Sequence, residues 1–417
     1  MKIGRYKKND RCRACDSTSL KMFLDLGLMP LINNMLNEEQ LKDAENEPHY
    51  PLEVYLCTNC GLVQLIHVVP PEDMFSHYVY LTSTSSTMVA HLKGMTDDIY
   101  ERFLKSKTEA MAVDIGSNDG TLLKGYLPHG VDVLGIDPAV NVAELANKSG
   151  VRTMVAFFGE QTAKDAAKAF GKADAITATN AFAHIDDWAS VIRGVDALLK
   201  DDGVFVIEAP YLVDLIDHTE FDTIYHEHLS YVSLTPLTKL FPKFGMEVFD
   251  VKRLPIHGGS LRIFVCRKDA HKITKNVTAM LEDEEQRKLT ELETYKQFAK
   301  RVEDLKTDFV KILQGFKKQG KRVAGYGAAA KGNVLLNYFK VGPETIDFIA
   351  DKNPLKQNLY TPGMHIPVYA PSKIAEEEPD YLVVLVWNIA KEIMEEQRAY
   401  KENGGKFVVP IPKPTVV

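Results

Sequence analysis

A short apolar run that opens into a glycine-containing turn constrains the fold of this chain more than any other feature. Met111–Ile115 predicts a buried strand, the turn after it holds Gly116 and Gly120, and an apolar run from Thr121 predicts a helix. In open α/β sheets this order of elements binds a nucleotide at the carboxyl end of a strand, because glycine lets the backbone approach the ligand closely. An ordinary strand-to-helix turn without a ligand is the alternative.

The turn is acidic, which bears on the charge of its ligand. Asp114 and Asp119 lie in it, and the next predicted strand, Val131–Ile136, leads into Asp137, where an acid commonly bonds ribose hydroxyls. Bare amides and helix N-termini prefer anions, so these carboxylates disfavour a pyrophosphate and favour a sulfonium nucleoside, S-adenosylmethionine. An NAD site with an atypical loop is the alternative. The predicted cofactor-binding residues are Asp114, Gly116, Ser117, Asn118, Gly120, Asp137 and Asn180.

Strands and helices alternate through the middle of the chain and predict a parallel, doubly wound Rossmann-like sheet. Two later segments, joined by Pro-Ile-His-Gly-Gly, predict antiparallel strands at one edge, with Cys266 in the core. The predicted strands are Ala112–Ile115, Val131–Ile136, Val151–Phe158, Ala173–Thr179, Gly203–Glu208, Phe249–Leu254 and Ser260–Cys266. The predicted helices are Met88–Leu104, Glu160–Phe170 and Trp188–Leu199.

Two Cys-x-x-Cys pairs near the start of the chain predict a structural zinc site. Each pair suits a short knuckle, and two knuckles supply four thiolates for a tetrahedral ion. The 41 residues between the pairs exceed the usual gap of about 15–20 and must form a small subdomain. Reduced thiols without metal are the alternative. The predicted ligands are Cys12, Cys15, Cys57 and Cys60.

The last third of the chain begins with a charged stretch, residues 269–319, that predicts a solvated helical connector. A second α/β unit follows, in which Val323 starts a strand that leads into Gly-x-Gly-x-x-Ala and a helix. This fingerprint is weak by itself, and a degenerate Rossmann-like domain that contacts the nucleotide of a substrate is favoured over an NAD site. Later strands are predicted over Ile346–Ala350 and Tyr381–Trp387.

Length and charge limit the possible classes of protein. A chain of 417 residues predicts two or three domains, here residues 1–72, 73–268 and 269–417. Its formal net charge of −7 gives no support for a nucleic-acid partner or a membrane-surface protein. The polar start and the absence of a long apolar run predict a cytoplasmic protein. Residues 73–88, rich in Tyr, Ser and Thr, suit a linker or a binding loop.

A dense group of titratable residues, Tyr225-His226-Glu227-His228, is the candidate catalytic cluster. Histidine is the usual general base near neutral pH, a neighbouring carboxylate can orient it, and tyrosine can donate a proton to an oxyanion. His184 follows the fourth predicted strand at the ligand-binding edge. An ordinary polar loop or a two-histidine metal site is the alternative.

A series of short motifs follows in a fixed order along the chain. They are the two Cys-x-x-Cys pairs, Asp-Ile-Gly-Ser-Asn-Asp-Gly-Thr-Leu-Leu, Asn-Ala-Phe-Ala-His-Ile, Glu-Ala-Pro-Tyr-Leu, Tyr-His-Glu-His and Gly-Tyr-Gly-Ala-Ala-Ala-Lys. In this order they resemble the zinc-containing, S-adenosylmethionine-dependent nucleotide-sugar C-methyltransferases, along essentially the whole chain. The resemblance implies a zinc module, a central methyltransferase domain and a C-terminal Rossmann-like domain around a nucleotide-linked 4-keto-deoxysugar. It places Tyr225, Glu227 and His228 at the catalytic Tyr, Glu and His, with His184 and Tyr78 lining the site.

The reaction that the resemblance implies is methylation of the carbon beside a ketone. His228, oriented by Glu227, is expected to remove the C-3 proton, and Tyr225 and His184 are expected to stabilise the enolate oxygen. Two alternatives stay open: an O- or N-methyltransferase acting on another small metabolite, and a zinc-knuckle protein that binds or modifies nucleic acid. The acidic net charge weighs against the second alternative.

Overall fold

The computed structural model describes residues 2–78 and 80–417, and within these residues the backbone forms three large β-sheets covered by helices. The central sheet has parallel strands, and two antiparallel strands extend it beyond Leu199–Pro210. This is the predicted mixed α/β, Rossmann-like arrangement. In spatial order its strands are Met246–Leu254, Ser260–Arg267, Leu199–Pro210, Ala173–Thr179, Met111–Ile115, Asp132–Asp137 and Thr153–Val155.

The third strand in chain order is shorter than expected. Only Thr153–Val155 pairs with the neighbouring strand, whereas Val151–Phe158 was predicted. The N–H of Val151 donates to the carbonyl of Ala146 at the end of the preceding helix. Val151 is therefore not available to pair with the sheet, and the strand begins at Thr153. Cys266 is fully buried within its strand, as predicted.

Helices and short turns cover both faces of the central sheet. The helix predicted over Met88–Leu104 begins at Ser86 and ends in a π-helical turn, Tyr100–Leu104. The α-helices are Ser86–Ile99, Thr121–Lys124, Val140–Lys148, Glu160–Phe170, Trp188–Leu198, Leu212–Asp217 and Leu234–Leu240. The 3₁₀ turns are Thr82–Thr84, Leu127–His129, Phe182–His184, Phe221–Thr223, Phe241–Phe244 and Ile256–Gly258.

The N-terminal sheet carries the cysteine pairs and takes one strand from much later in the chain. The residues between the two pairs form a long antiparallel hairpin, Leu20–Pro30 with Pro48–Cys57. Ser230–Tyr231, just after the Tyr-His-Glu-His cluster, pairs with Val63–Leu65. The remaining elements are Lys2–Ile3, the pair Lys7–Lys8 and His67–Val68, the helices Glu38–Leu41 and Pro71–Phe75, and the turn Ala44–Asn46.

The charged stretch after residue 269 is not a solvated connector. It forms two helices, Lys275–Gln286 and Leu292–Lys318, separated at Lys288, which has a positive φ of 57°. The second helix has one apolar face buried over its length, and Tyr295 packs against Phe23 of the N-terminal hairpin with ring centroids 4.8 Å apart. The charged residues occupy the other face. Because they dominate the composition of the stretch, the composition suggested a helix exposed on all sides.

The C-terminal sheet is parallel except for its last strand, in line with a Rossmann-like unit. Two of its strands are shorter than predicted, Ile349–Ala350 and Tyr381–Val384. The other strands are Val323–Tyr326, Val368–Tyr369, Lys406–Val409 and Thr415–Val416. Its helices are Ala330–Phe339, Ser372–Glu377, Ala390–Glu396 and Arg398–Glu402, with a turn at Trp387–Ile389. No helix in the described part of the chain is long and apolar enough to cross a membrane.

Candidate functional site

The four predicted metal ligands come together at the tips of the two knuckles. One ligand atom from each of them lies within 4.8 Å of the others. The Sγ atoms of Cys12 and Cys60 are 3.6 Å apart, and those of Cys15 and Cys57 are 3.5 Å apart. Zn–S bonds of about 2.3 Å in a tetrahedron separate the sulfurs by about 3.8 Å. The cluster therefore fits a closed, four-thiolate zinc site.

A cavity of about 1190 Å³ opens at the carboxyl edge of the central sheet, where the three sheets meet. All three parts of the chain contribute to its wall. The N-terminal part supplies Asn33, and the segment just after it supplies Phe75 and Tyr78. The central part supplies Asp114, Gly116, Ser117, Asp137, Asn180, His184, Thr223, Tyr225 and His228. The C-terminal part supplies Ala329, Ala330, Lys331, Asn353, Lys356, Val386 and Asn388.

The glycine turn closes tightly against the rest of the sheet. Gly116 has a φ of 70°, and a Cβ there would lie 2.8 Å from that of Ala181. Asp114 is buried below the turn and accepts a hydrogen bond of 2.5 Å from the Thr177 hydroxyl. Burial raises the pKa of Asp114 to about 7, because low polarity disfavours the ionised form. A cationic ligand would restore its charge.

Asp137 lies where the sequence predicted a ribose-binding acid. Its two carboxylate oxygens accept the N–H groups of Asn118 and Ala139, each at 2.8 Å, which fixes the carboxylate at the cavity wall. Each oxygen has two lone pairs, so it can also accept a hydroxyl. Burial raises the pKa of Asp137.

Asn118 joins the glycine turn to the segment that precedes the first helix of the central domain. Its side chain donates to the carbonyl of Tyr80 at 3.0 Å and accepts the N–H of Thr82 at 3.0 Å. Asp119 accepts the N–H of Ser83 at 3.0 Å. The hydroxyl-rich segment after Tyr80 is therefore held on the glycine turn, and Tyr80 and Thr82 line the cavity.

The predicted catalytic histidines lie side by side in the cavity. The rings of His184 and His228 stack with centroids 4.9 Å apart, and the Tyr225 ring lies 3.9 Å from that of His228. Nδ1 of His228 is 2.8 Å from the carbonyl oxygen of Thr223. A carbonyl can only accept, so Nδ1 carries the proton in the neutral ring and Nε2 is the basic nitrogen.

Glu227 bonds two residues that come much earlier in the chain. It accepts hydrogen bonds from the amide of Asn33 at 2.6 Å and the hydroxyl of Tyr78 at 3.2 Å. Burial raises the pKa of Glu227 to about 7, although both donors oppose the shift. The sequence suggested that Glu227 orients His228, whereas Nδ1–H of His228 donates its hydrogen bond to the Thr223 carbonyl. Neither Thr223 nor Asn33 carried a sequence signal.

Burial keeps the neighbouring rings neutral near pH 7. The pKa of His184 is lowered to about 4, and the pKa of Tyr225 is raised well above its usual value. Both groups can therefore donate a hydrogen bond without carrying charge. His226 does not line the cavity but is buried against Tyr50, with ring centroids 5.6 Å apart, and burial lowers its pKa to about 4.

The C-terminal wall of the cavity carries two lysines. Lys331 lies in the first turn of Ala330–Phe339, with Nζ 3.8 Å from Glu220 and 4.9 Å from the Trp387 ring centroid. Lys356 also lines the cavity, and its Nζ donates to the carbonyl oxygen of Ala328 at 2.8 Å. Neither lysine was predicted as a site residue, although Lys331 ends the motif Gly-Tyr-Gly-Ala-Ala-Ala-Lys.

Three family models match the chain in order. They are a zinc binding domain over residues 12–75, a methyltransferase domain over residues 88–251, and a C-methyltransferase C-terminal domain over residues 255–412. The chain is 39% identical over 409 residues to C-methyltransferase NovU of Streptomyces niveus, a match that covers 98% of this chain and 97% of that protein.

Solved structures of methyltransferases resemble part of the chain at low identity. Magnesium protoporphyrin IX methyltransferase of Synechocystis PCC 6803, with bound S-adenosylhomocysteine, is 13% identical with a TM-score of 0.35, over 43% of this chain and 83% of that one. A methyltransferase from Anabaena variabilis is 15% identical with a TM-score of 0.33, over 42% and 84%.

Proposed function

The chain belongs to the S-adenosylmethionine-dependent C-methyltransferase family, and from that premise we propose that it methylates the carbon beside the ketone of a nucleotide-linked 4-keto-deoxysugar, at C-3. The central domain binds the methyl donor and the four cysteines hold zinc. The observation that carries the proposal is the single cavity, which joins the donor turn, the histidine–tyrosine cluster and a cationic wall.

The size of the cavity supports two large ligands at once. Ligand pockets usually measure about 300–1,000 Å³, and this cavity measures about 1190 Å³. The donor occupies the end near Gly116 and Asp137. The end near Lys331 and Lys356 then remains for the acceptor.

The charge of that far end favours a diphosphate. The N-terminus of the helix Ala330–Phe339 faces the cavity and carries a partial positive charge. Lys331 and Lys356 add two ammonium groups along the same wall. A nucleotide-linked sugar would place its phosphates there and its sugar against the histidines.

His228 is the proposed base. Thr223 holds its Nδ1–H, so Nε2 takes the proton from the carbon beside the ketone, the C–H bond breaks, and its electron pair enters the enolate. When bound, the donor would supply an electrophilic methyl group for the enolate carbon and would leave as S-adenosylhomocysteine. One positioned general base contributes about 10²–10⁴-fold in rate.

Tyr225 and His184 are the proposed donors to the enolate oxygen. Both stay neutral near pH 7 and lie against His228, so they offer hydrogen bonds where negative charge develops. Losing one preorganised donor of this kind typically costs about 2.7–4 kcal/mol. Glu227 accepts from Asn33 and from Tyr78, and so fixes Tyr78 at the same wall.

The test is incubation with labelled donor and a panel of dTDP-, CDP- and GDP-4-keto-6-deoxy sugars, followed by mass spectrometry of the products. Methylation on carbon is expected for at least one member of the panel. The matched control is the same nucleotide sugar reduced at C-4, which cannot acidify the neighbouring C–H and should stay unmethylated. Methylation of the reduced sugar on oxygen would contradict the proposal.

A further inference from the structure

Arg13 lies inside the first zinc knuckle, between Cys12 and Cys15, yet its side chain extends toward the catalytic cavity. The side chain is only 2% exposed. A buried guanidinium is costly unless it is paired and hydrogen-bonded. The acceptors of its hydrogen bonds therefore indicate the structural role of this buried side chain.

Each end of the guanidinium contacts a segment that carries one of the two histidines. Nη1 donates to the carbonyl oxygen of Leu229 at 2.7 Å, and Leu229 directly follows His228. Nη2 donates to Oδ1 of Asp186 at 3.0 Å, two residues after His184. One planar group therefore spans the two segments whose histidine rings stack 4.9 Å apart.

The N-terminal module holds the other side of the same group. Oε1 of Gln64 accepts from the backbone N–H and from Nη1 of Arg13, both at 3.2 Å, and the carbonyl of Leu65 accepts from Nη2 at 3.0 Å. Asn9 also donates to Asp186, at 2.7 Å. The guanidinium is thus anchored on the zinc-bearing sheet while it reaches across to the central domain.

We propose that Arg13 is a positioning residue, through which the first zinc knuckle fixes the spacing of the His184 and His228 segments. The idea rests on the catalytic roles proposed for these histidines. Zinc fixes the backbone on both sides of Arg13 because Cys12 and Cys15 are its ligands. Only an arginine presents two parallel donors in a rigid fork, and a lysine ammonium cannot reach both acceptors in that geometry.

The test compares Arg13→Lys with Arg11→Lys in the full-length, zinc-loaded protein. Arg11 lies in the same knuckle, but its side chain is 55% exposed and bonds Asp16 at the surface. Arg13→Lys should retain zinc and S-adenosylhomocysteine affinity, change KM little, and lower kcat by about 10–100-fold, because small misplacements of reacting groups cost about that much. Arg11→Lys should match the wild type in every measurement.

A second measurement needs no sugar substrate. Diethyl pyrocarbonate modifies accessible imidazoles, and mass spectrometry of peptides gives separate rates for His184 and His228. Arg13→Lys should raise at least one of these rates several-fold, and Arg11→Lys should raise neither. If no sugar in the panel is methylated by the wild type, the proposed function fails, while the modification rates still decide the role of Arg13.

Asp186→Asn examines the same contact from the other side, in case Arg13→Lys folds poorly. Asn9 and Arg13 bond the same oxygen of Asp186, Oδ1. The variant keeps that oxygen but removes the negative charge that pairs with Arg13, so it should reproduce the higher modification rate and the lower kcat. Unchanged kcat and unchanged modification rates in a zinc-loaded Arg13→Lys or Asp186→Asn protein would overturn the proposal.

Discussion

At the scale of single residues, a backbone carbonyl decides which nitrogen of His228 can accept a proton. Thr223 precedes His228 by five residues, and its carbonyl oxygen lies 2.8 Å from Nδ1. The sequence singled out this group of side chains, because Tyr, His and Glu are unusually dense there. It could not reveal the orienting carbonyl, because any residue has one and only the turn of the chain determines which carbonyl faces the ring.

His228→Asn should therefore abolish two activities together. Methyl transfer should fall by about 10²–10⁴-fold. Exchange of the substrate's α-proton in D₂O, measured with a donor analogue that cannot transfer methyl, should fall equally, while S-adenosylhomocysteine still binds. His226→Asn is the matched control, because His226 lies outside the cavity, and it should keep normal turnover per folded molecule. Normal exchange in His228→Asn would assign the base elsewhere.

The ionisation of Glu227 should be visible in the stability of the protein. Its pKa is about 7 in the folded chain because of burial, against about 4.3 when unfolded. The folded state therefore holds a proton that the unfolded state has lost, and the free energy of unfolding should fall as pH rises through this window.

Glu227→Gln removes that titration, so wild type should lose stability relative to the variant from pH 5 to pH 8. The difference should be on the order of 3 kcal/mol, from about 1.36 kcal/mol per unit of pKa. Urea unfolding at several pH values measures it. The exposed Glu39→Gln variant should run parallel to wild type, and a parallel curve for Glu227→Gln would contradict the assigned pKa.

At the scale of elements, the sequence pattern predicted those helices and strands whose formation depends mainly on residues close together in the chain. The strand–turn–helix at Met111–Lys124 was predictable because apolar residues and glycines alone specify it. The helix Leu292–Lys318 was predicted as a helix but misplaced in solvent. Its buried residues follow the helical period, at Tyr295, Phe298, Val302, Leu305, Phe309 and Leu313, so periodicity carried the signal that overall charge obscured.

The acid at the end of the second parallel strand should control donor binding. Asp137→Asn replaces one acceptor oxygen with an NH₂ group that opposes the N–H groups of Asn118 or Ala139. We expect affinity for S-adenosylhomocysteine to fall at least about 10-fold, since hydrogen bonds to charged groups are worth about 1.5–3 kcal/mol. Calorimetry measures it. Asp132→Asn, at the exposed start of the same strand, should bind normally.

At the scale of the whole molecule, the zinc module is enclosed by contacts from other parts of the chain. Lys239 and Lys243 donate to the carbonyls of Cys60 and Ala14 at 3.4 and 3.1 Å. Sequence spacing predicted the four thiolates, because each knuckle is local. It could not predict these long-range contacts, which join positions about 180 to 230 residues apart and depend on how the sheets pack.

Metal analysis should find one zinc per chain. Cys57→Ser should lose the zinc. The variant should also be less stable and less soluble, because a structural zinc contributes folding free energy. Cys266→Ala is the control, because Cys266 lies in the central sheet, away from the cluster, and this variant should keep its zinc. A stable, active protein without metal would refute the structural role.

Ser230–Tyr231 has a consequence for recombination between relatives. This strand comes from the middle of the chain but pairs within the N-terminal sheet, against Val63–Leu65. A hybrid enzyme joined only between the zinc module and the methyltransferase domain would pair a strand from one parent with a sheet from the other. Functional exchange of the N-terminal module should therefore require the Ser230–Tyr231 segment to be transferred with it, as a second, separate crossover.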